Sequence, residues 1–270
     1  MKDSTKPVAL ITGASAGLGE AFARQLAARG FDLILVARRK VKLTSLAQHL
    51  SRKSAINVEI IPADLAIDAG IRKVEQHIRS LKRLDLLINN AGFSLPGKFA
   101  EQSIDRSLEM LQVHDKACVC LTHATLPGMI HRESGTIINV SSASAFAPLV
   151  GSAMYSATKV FLVNFSKALQ LENRCNGIKV QALCPGFFHS EFHDVMRVNK
   201  KAIPNWMLTT ADEIARRSLS ALRSKSVVYV PGLLYQVAAF FVRLPGLGDW
   251  LIGIFTKFTA KRRREFISAR

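Results

Sequence analysis

Short runs of uninterrupted apolar residues recur along this chain. Each is closed by a turn residue and followed by a stretch in which apolar positions return every three or four residues. The runs PVALITG (7–13), DLILVAR (32–38), VEIIPADL (58–65), LDLLINNAG (84–92), GTIINVSS (135–142), IKVQALCPG (178–186) and SVVYVPG (226–232) have strand length and β-forming composition, and predict seven strands. GEAFARQLAARG (19–30) carries helical spacing and stops at Gly30, a natural C-terminal cap; a charged helix follows to about Leu50. Thr210 with Glu213 forms a capping-box pattern ahead of ADEIARRSLSAL. Strands that are apolar at every position must be covered on both faces. The alternation therefore predicts one α/β domain, a mostly parallel sheet sandwiched between helices.

Between the first strand and the first helix lies TGASAGLG (12–19), with Gly13, Gly17 and Gly19 in the spacing G-x-x-x-G-x-G. Glycines allow a sharp turn and let the backbone approach a pyrophosphate, whose charge meets the N-terminus of the following helix. This strand–turn–helix context predicts a dinucleotide. An acidic residue about 20 positions on would take the adenosine ribose hydroxyls, but that place holds Arg38 and Arg39. A guanidinium fork matches a 2′-phosphate, so NADP(H) is expected in preference to NAD(H). The plainer alternative is that these arginines only open a solvated helix, as Lys40 and Lys42 do.

YSATK (155–159) places Tyr155 and Lys159 on one helix face with small residues between. Protonating a carbonyl oxygen at pH 7 calls for a phenol below its usual pKa of about 10. Bringing it down by roughly three units takes about 4 kcal/mol, which an ammonium about 4 Å away supplies at an effective dielectric near 20. Together with Asp64 in ADL, NNAG (89–92), Ser142 in NVSS thirteen residues before Tyr155, and PG at 185–186, these features occur in a fixed order over residues 7–232. The sequence resembles the short-chain dehydrogenase/reductase family.

The resemblance implies a Rossmann-type doubly wound sheet of about seven mostly parallel strands with helices on both faces. It implies ketone–alcohol interconversion by hydride transfer, with Tyr155 as acid/base, Lys159 tuning it and holding the nicotinamide ribose, and Ser142 bonding the substrate oxygen. Gly13, Ser15, Gly17, Leu18 and Gly19 would cradle the cofactor, Asp64 and Leu65 would flank the adenine, and Asn90, Ala91 and Gly92 would follow the ribose. Pro185, Gly186 and Phe188 would line the nicotinamide, with Ser190 where the family often has a threonine. The family usually completes its set with an asparagine 22 residues past the NNAG glycine, where this chain has His114. Either His114 replaces it in a proton relay with a pH response near neutrality, or it is a satisfied buried histidine and the relay is rebuilt otherwise.

The interval 186–210 corresponds to the family's substrate lid. Phe187, Phe192 and Trp206 there suit a hydrophobic ketone or alcohol, acyl- or steroid-like, or else pack the lid onto the core. Residues 233–270 form an apolar and basic C-terminal extension beyond the domain at 1–232. Its two apolar stretches are too short to span a bilayer, and Lys261–Arg264 follow the second. Peripheral membrane contact, and subunit packing in a homodimer or homotetramer or a substrate-pocket role, both fit it.

The net charge of +17 and pI near 10.2 favour anionic partners. The basic residues are spread without a nucleic-acid module, so no nucleic acid is expected. Cys118, Cys120, Cys175 and Cys184 lack zinc spacing and read as free thiols in a reducing compartment, and no metal is expected. The polar start running directly into a strand predicts no secretory signal, hence a cytoplasmic protein, peripheral at a membrane surface if the extension docks there. An NADP-dependent hydroxysteroid-type alcohol dehydrogenase and a non-catalytic, membrane-associated NADPH-binding protein remain the alternatives.

Overall fold

The structure, a computed structural model, describes residues 6–186, 188–189, 209–242, 244, 246 and 253. Its sheet begins with β1 (Val8–Thr12), β2 (Asp32–Ala37), β3 (Val58–Pro62), β4 (Leu86–Asn89), β5 (Gly135–Val140) and β6 (Ile178–Leu183). Two-residue strands β7 (Phe188–His189) and β8 (Thr209–Thr210) pair only with each other, and β9 (Val228–Tyr229) completes the main sheet. The spatial order is β3-β2-β1-β4-β5-β6-β9, with every neighbouring pair parallel. The seven-stranded expectation holds; the small β7–β8 ladder had no apolar run to announce it.

Helices α1 (Gly17–Ala27), α2 (Lys40–Ser54), α3 (Asp68–Ser80), α4 (Ile104–Leu111), α5 (Ala117–His131), α6 (Ala153–Glu172), α7 (Ala211–Ala221) and α8 (Leu233–Val242) surround the sheet. Strand side chains alternate between two buried layers. Ala9, Ile11, Leu33 and Leu35 pack with Phe22 and Leu26 of α1 and Leu219 of α7. Leu10, Ile34, Val36 and Leu87 pack with Ile71 and Val74 of α3 and Leu121 of α5. That double burial is why the strands carry no polar alternation.

The strands end sooner than the apolar runs do. Asn90–Gly92, Ser141–Ser142 and Cys184–Gly186 lie past the last ladder pairs, because there the chain turns away to build the rim of a crevice. Helix α1 starts at Gly17 and ends at Ala27, so Gly30 lies past its end; its N–H bonds the Ala27 carbonyl (3.0 Å) at φ +80°. At α7 the Thr210 hydroxyl accepts the Glu213 N–H (3.2 Å) as expected. Glu213 does not complete the box: its carboxylate takes Arg216 and Arg217, whose hydrogen bonds hold it down at about 2.

Candidate active site

Strand order reverses between β1 and β4, the place where open α/β sheets leave a ligand crevice at the strands' carboxyl ends. Thr12 locks this opening. Its hydroxyl accepts the N–H groups of Asn90 (2.9 Å) and Ala91 (3.0 Å) and donates to the Ile88 carbonyl (3.3 Å), while the Asn90 amide donates to the Thr12 carbonyl (2.8 Å). Gly13 sits at φ +66°, and a Cβ there would meet Ala91 Cα at 2.9 Å; a Cβ on Gly19 would meet the Gly13 carbonyl oxygen at 2.4 Å. The turn is thus a cradle of bare backbone at a helix N-terminus, which fits a pyrophosphate. Leu18 turns its side chain into the core, leaving only its backbone to the turn.

Arg39 reaches over this cradle, donating from Nε to the Ser15 hydroxyl (3.1 Å) and from Nη2 to the Ser15 carbonyl (3.3 Å). Arg38 lies 3.9 Å from Asp64, whose other oxygen accepts the Ala66 N–H (3.0 Å). Arg38, Arg39, Ser15 and Asp64 thus converge at the ends of β2 and β3. The Leu65 side chain is buried beneath them.

The β5 and β6 ends keep pairing past their strands: Ser141 N–H to Leu183 O (2.7 Å), and Ala143 N–H to Pro185 O (2.8 Å). This sets Ser142 beside Pro185 and opposite α6, which carries Tyr155 and Lys159. The Ser142 hydroxyl accepts the Ser144 N–H (3.2 Å) and hydrogen-bonds the Tyr155 hydroxyl. Lys159 is buried, with Nζ donating to the Val140 carbonyl (3.0 Å) and 5.5 Å from the centre of the Tyr155 ring.

One expectation needs correcting here. The phenol is not drawn toward neutrality by the lysine; burial pushes it up to about 12, with the Ser142 hydrogen bond pulling the other way. Desolvation outweighs an ammonium that is turned to a backbone carbonyl. The same burial brings Lys159 down to about 8, against the field of Asp115.

Helix α4 passes into α5 through a π-type turn, residues 112–116, and His114 stands on it, buried. Its Nε2 accepts the Phe93 N–H (3.0 Å), so the neutral ring carries its proton on Nδ1 and donates to Thr158 Oγ1 (2.9 Å). Thr158 donates onward to the Tyr155 carbonyl (2.8 Å). Both ring nitrogens are engaged away from Lys159. Burial first, and Lys159 second, hold the ring's pKa well below its ordinary value, so the neutral-range pH response expected of a relay does not arise. The geometry is that of a satisfied buried histidine steadying the turn that bears Tyr155.

Because the unfolded histidine titrates near 6.5, the unfolded chain binds the extra proton, and its contribution to folding stability falls as the pH drops below that value. The slope approaches about 1.4 kcal/mol per pH unit. Asp115 on the same turn, raised to about 7, takes up a proton on folding over the same range and opposes this slope. Urea unfolding of the parent between pH 5 and 7 is therefore expected to show little net change. His114→Asn is expected to remove the histidine component of the slope; an unchanged slope would mean that other groups set it.

Several contributors went unread in the sequence. Asp115, on the same π turn, has a buried Oδ1 with no hydrogen-bond partner, and burial pushes its carboxyl up to about 7 beside Lys159. Asn89 donates to Thr122 (3.1 Å) and Asn139 (2.9 Å), and Asn139 to Ser166 (2.9 Å), tying β4 and β5 to α5 and α6 beneath the site. Tyr235 of α8 lies on Gly186, where a Cβ would meet its ring at 2.2 Å. Only their positions after strand ends signalled the asparagines; nothing local marked Asp115 or Tyr235. Phe188 packs against the layer under α1. Phe187, Ser190, Phe192 and Trp206 lie outside the described residues, as do most of the lid and residues 254–270 of the extension.

A dinucleotide cradle at the switch point, facing a Ser–Tyr–Lys set across the same crevice, defines a nicotinamide-cofactor oxidoreductase of the Rossmann type. The chain belongs to the short chain dehydrogenase family, which it matches over residues 7–203. It is 32% identical to hydroxysteroid dehydrogenase-like protein 1 of Gallus gallus, over 95% of this chain and 77% of that protein. It is 35% identical to inactive hydroxysteroid dehydrogenase-like protein 1 of Homo sapiens over 66% of this chain, and spans 54% of that protein's length. A solved short-chain dehydrogenase from Sphingobium yanoikuyae in complex with NADPH shares 33% identity at a TM-score of 0.79, covering 94% of this chain and 95% of that one. Among the described residues no helix is long and apolar enough to cross a membrane, and no group of three or more His, Cys, Asp or Glu side chains is placed to hold a metal. All four cysteines are free, and burial pushes the Cys118 thiol up to about 12.

Proposed function

We propose that this protein is an NADPH-dependent oxidoreductase that interconverts a ketone and a secondary alcohol on a hydrophobic, acyl- or steroid-like substrate of lipid metabolism. The observation that carries it is the Ser142–Tyr155–Lys159 constellation facing the glycine cradle across one crevice. Gly13, Gly17 and Gly19 would hold the pyrophosphate and Asn90–Gly92 the ribose, with Pro185 and Gly186 along the nicotinamide. The bound nicotinamide supplies the hydride.

The chain's own work is proton transfer and positioning. Tyr155, protonated throughout the neutral range, gives its proton to the carbonyl oxygen as an alkoxide develops, since the alkoxide is far the stronger base. Ser142 donates to the same oxygen and holds the phenol in line. The phenolate left behind is stabilised by the Lys159 ammonium. With Lys159 near 8, reduction is expected to run level through neutral pH and decline as the lysine loses its charge.

Arg39 beside Ser15 supports the NADP preference. Arg39→Ala removes a charge-assisted pair worth about 1.5–3 kcal/mol toward a 2′-phosphate. The KM for NADPH is expected to rise roughly 10- to 100-fold, with that for NADH little changed; equal effects on both would remove the argument. Homodimer or homotetramer assembly, placement in the cytoplasm and peripheral contact through the 233–270 extension complete the reading.

The deciding experiment is a panel of apolar ketones and secondary alcohols assayed with NADPH and NADH separately. NADPH-linked turnover of a bulky carbonyl is expected; no turnover of any substrate would favour the second reading, a non-catalytic NADPH-binding protein. The human relative is named inactive, which keeps that reading in view. A hydroxysteroid-type alcohol dehydrogenase would differ only in preferring the steroid alcohols of the panel.

A further inference from the structure

Helix α8 has two unlike faces. Inward, Tyr235 packs on Gly186 and on the buried cluster that Ala145 and Phe146, three and four residues past Ser142, also cover, so the helix lies along this end of the crevice. Gln236 anchors it by donating to the Val230 carbonyl (2.9 Å), and Ala239 is buried. Outward, Leu233, Leu234, Val237, Phe240, Phe241 and, just past the helix, Leu244 are 37–76% exposed. Their spacing puts them in one stripe, and α8 contains no charged residue. A contiguous apolar stripe of this kind marks a surface built to be covered.

Charge selects the cover. The chain carries +17, and residues 243–270 contain seven Lys and Arg against two Asp and Glu. A second copy laid on this face would bring two strongly basic chains together. An anionic leaflet attracts the same charges and accepts the same apolar stripe. Ten residues are too few to cross a bilayer, so the helix would lie along its surface.

We infer that the outward face of α8 docks the protein on an anionic lipid surface, and that apolar carbonyl substrates reach Tyr155 from the leaflet past Tyr235. The docking rests on the helix face and the chain's basic charge; the entry route rests on the oxidoreductase reading given above.

The test uses the full chain with phosphatidylcholine vesicles, with and without phosphatidylserine. The parent is expected to float with the anionic vesicles only, and less so at high salt. The double variant Val237→Glu/Phe240→Glu is expected to lose at least tenfold in vesicle binding. It should keep NADPH binding and turnover of a short water-soluble ketone, and show a raised KM only for a ketone dissolved in the vesicles. Should that variant fold poorly, Phe240→Trp serves instead: brominated lipid is expected to quench it beyond the parent's own tryptophans.

Flotation by the double variant equal to the parent's, no flotation of the parent, or no added quenching at position 240 would each overturn the docking. So would a change in oligomeric size produced by the glutamates, which would assign the face to a second copy. An unchanged KM for the vesicle-borne ketone in a variant that no longer binds would overturn the entry route alone. Failure of the parent to reduce even the soluble ketone would sink the oxidoreductase reading and the route with it, leaving the flotation result standing.

Discussion

Replacing Tyr155 by phenylalanine is expected to lower kcat about 100- to 10,000-fold, the usual worth of a positioned general acid, while leaving NADPH affinity little changed. In the proposed mechanism the hydroxyl gives its proton to the substrate oxygen. It lies in hydrogen-bond contact with Ser142, with the Lys159 ammonium 5.5 Å from the ring centre. The ring itself packs edge-on against His114, centroids 5.9 Å apart, and phenylalanine keeps that contact, so the fold should survive. Single-turnover reduction and NADPH fluorescence would separate the two quantities. A variant that reduced a good substrate as fast as the parent would remove Tyr155 from the chemistry. The residual rate should also lose part of its pH dependence, because Lys159 no longer has a phenolate to stabilise.

Gly19→Ala should be nearly as damaging by a different route. The added methyl would stand 2.4 Å from the Gly13 carbonyl oxygen and 2.6 Å from the Asn90 amide. Neither can retreat easily, since the Asn90 side chain is tied to the Thr12 carbonyl. Forcing the turn open is expected to cost about 1–3 kcal/mol of stability, the usual range for overpacking, and to weaken NADPH binding at least 100-fold, or about 2.7 kcal/mol or more. Gly30→Ala is the control. Gly30 has φ +80° but nothing within 4 Å of its Cβ position. That change should cost about 1–2 kcal/mol through the left-handed backbone alone and leave the cofactor site intact. Denaturant midpoints with NADPH titrations would read both. Equal NADPH affinity in the two variants would mean that the cradle is not where the cofactor lies.

Much of this architecture was legible because the relevant physics is local or periodic. Runs such as DLILVA are apolar at every position only if both sheet faces are covered, so the layers could be read from the letters alone. The glycines at 13, 17 and 19 reveal a backbone turn because nothing larger fits there. Tyr155 and Lys159 share a helix face by arithmetic, and Ser142 falls at a strand end.

The letters could not show how far each charge would be desolvated, since that depends on atoms brought in from distant segments. In the sequence Tyr155 and Lys159 are a bare pair in a uniform medium. Folding buries both, raises one and lowers the other, and turns the ammonium to Val140. His114 is the same kind of case. In the sequence it stands where an asparagine is usual; in the fold Gly92 leaves it room, with a Cβ position only 2.7 Å from Nε2, and Phe93 and Thr158 take both nitrogens.

What the sequence determined by itself, then, was the sheet, the glycine turn and the shared helix face of Tyr155 and Lys159, because each follows from periodicity, steric size or spacing along one element. Only the tertiary structure decided the charge states within the site, the quiet role of His114, the orphaned oxygen of Asp115 and the arrival of Tyr235 on Gly186. Those depend on which side chains meet across elements, and burial energies are set by that company rather than by neighbours in the chain.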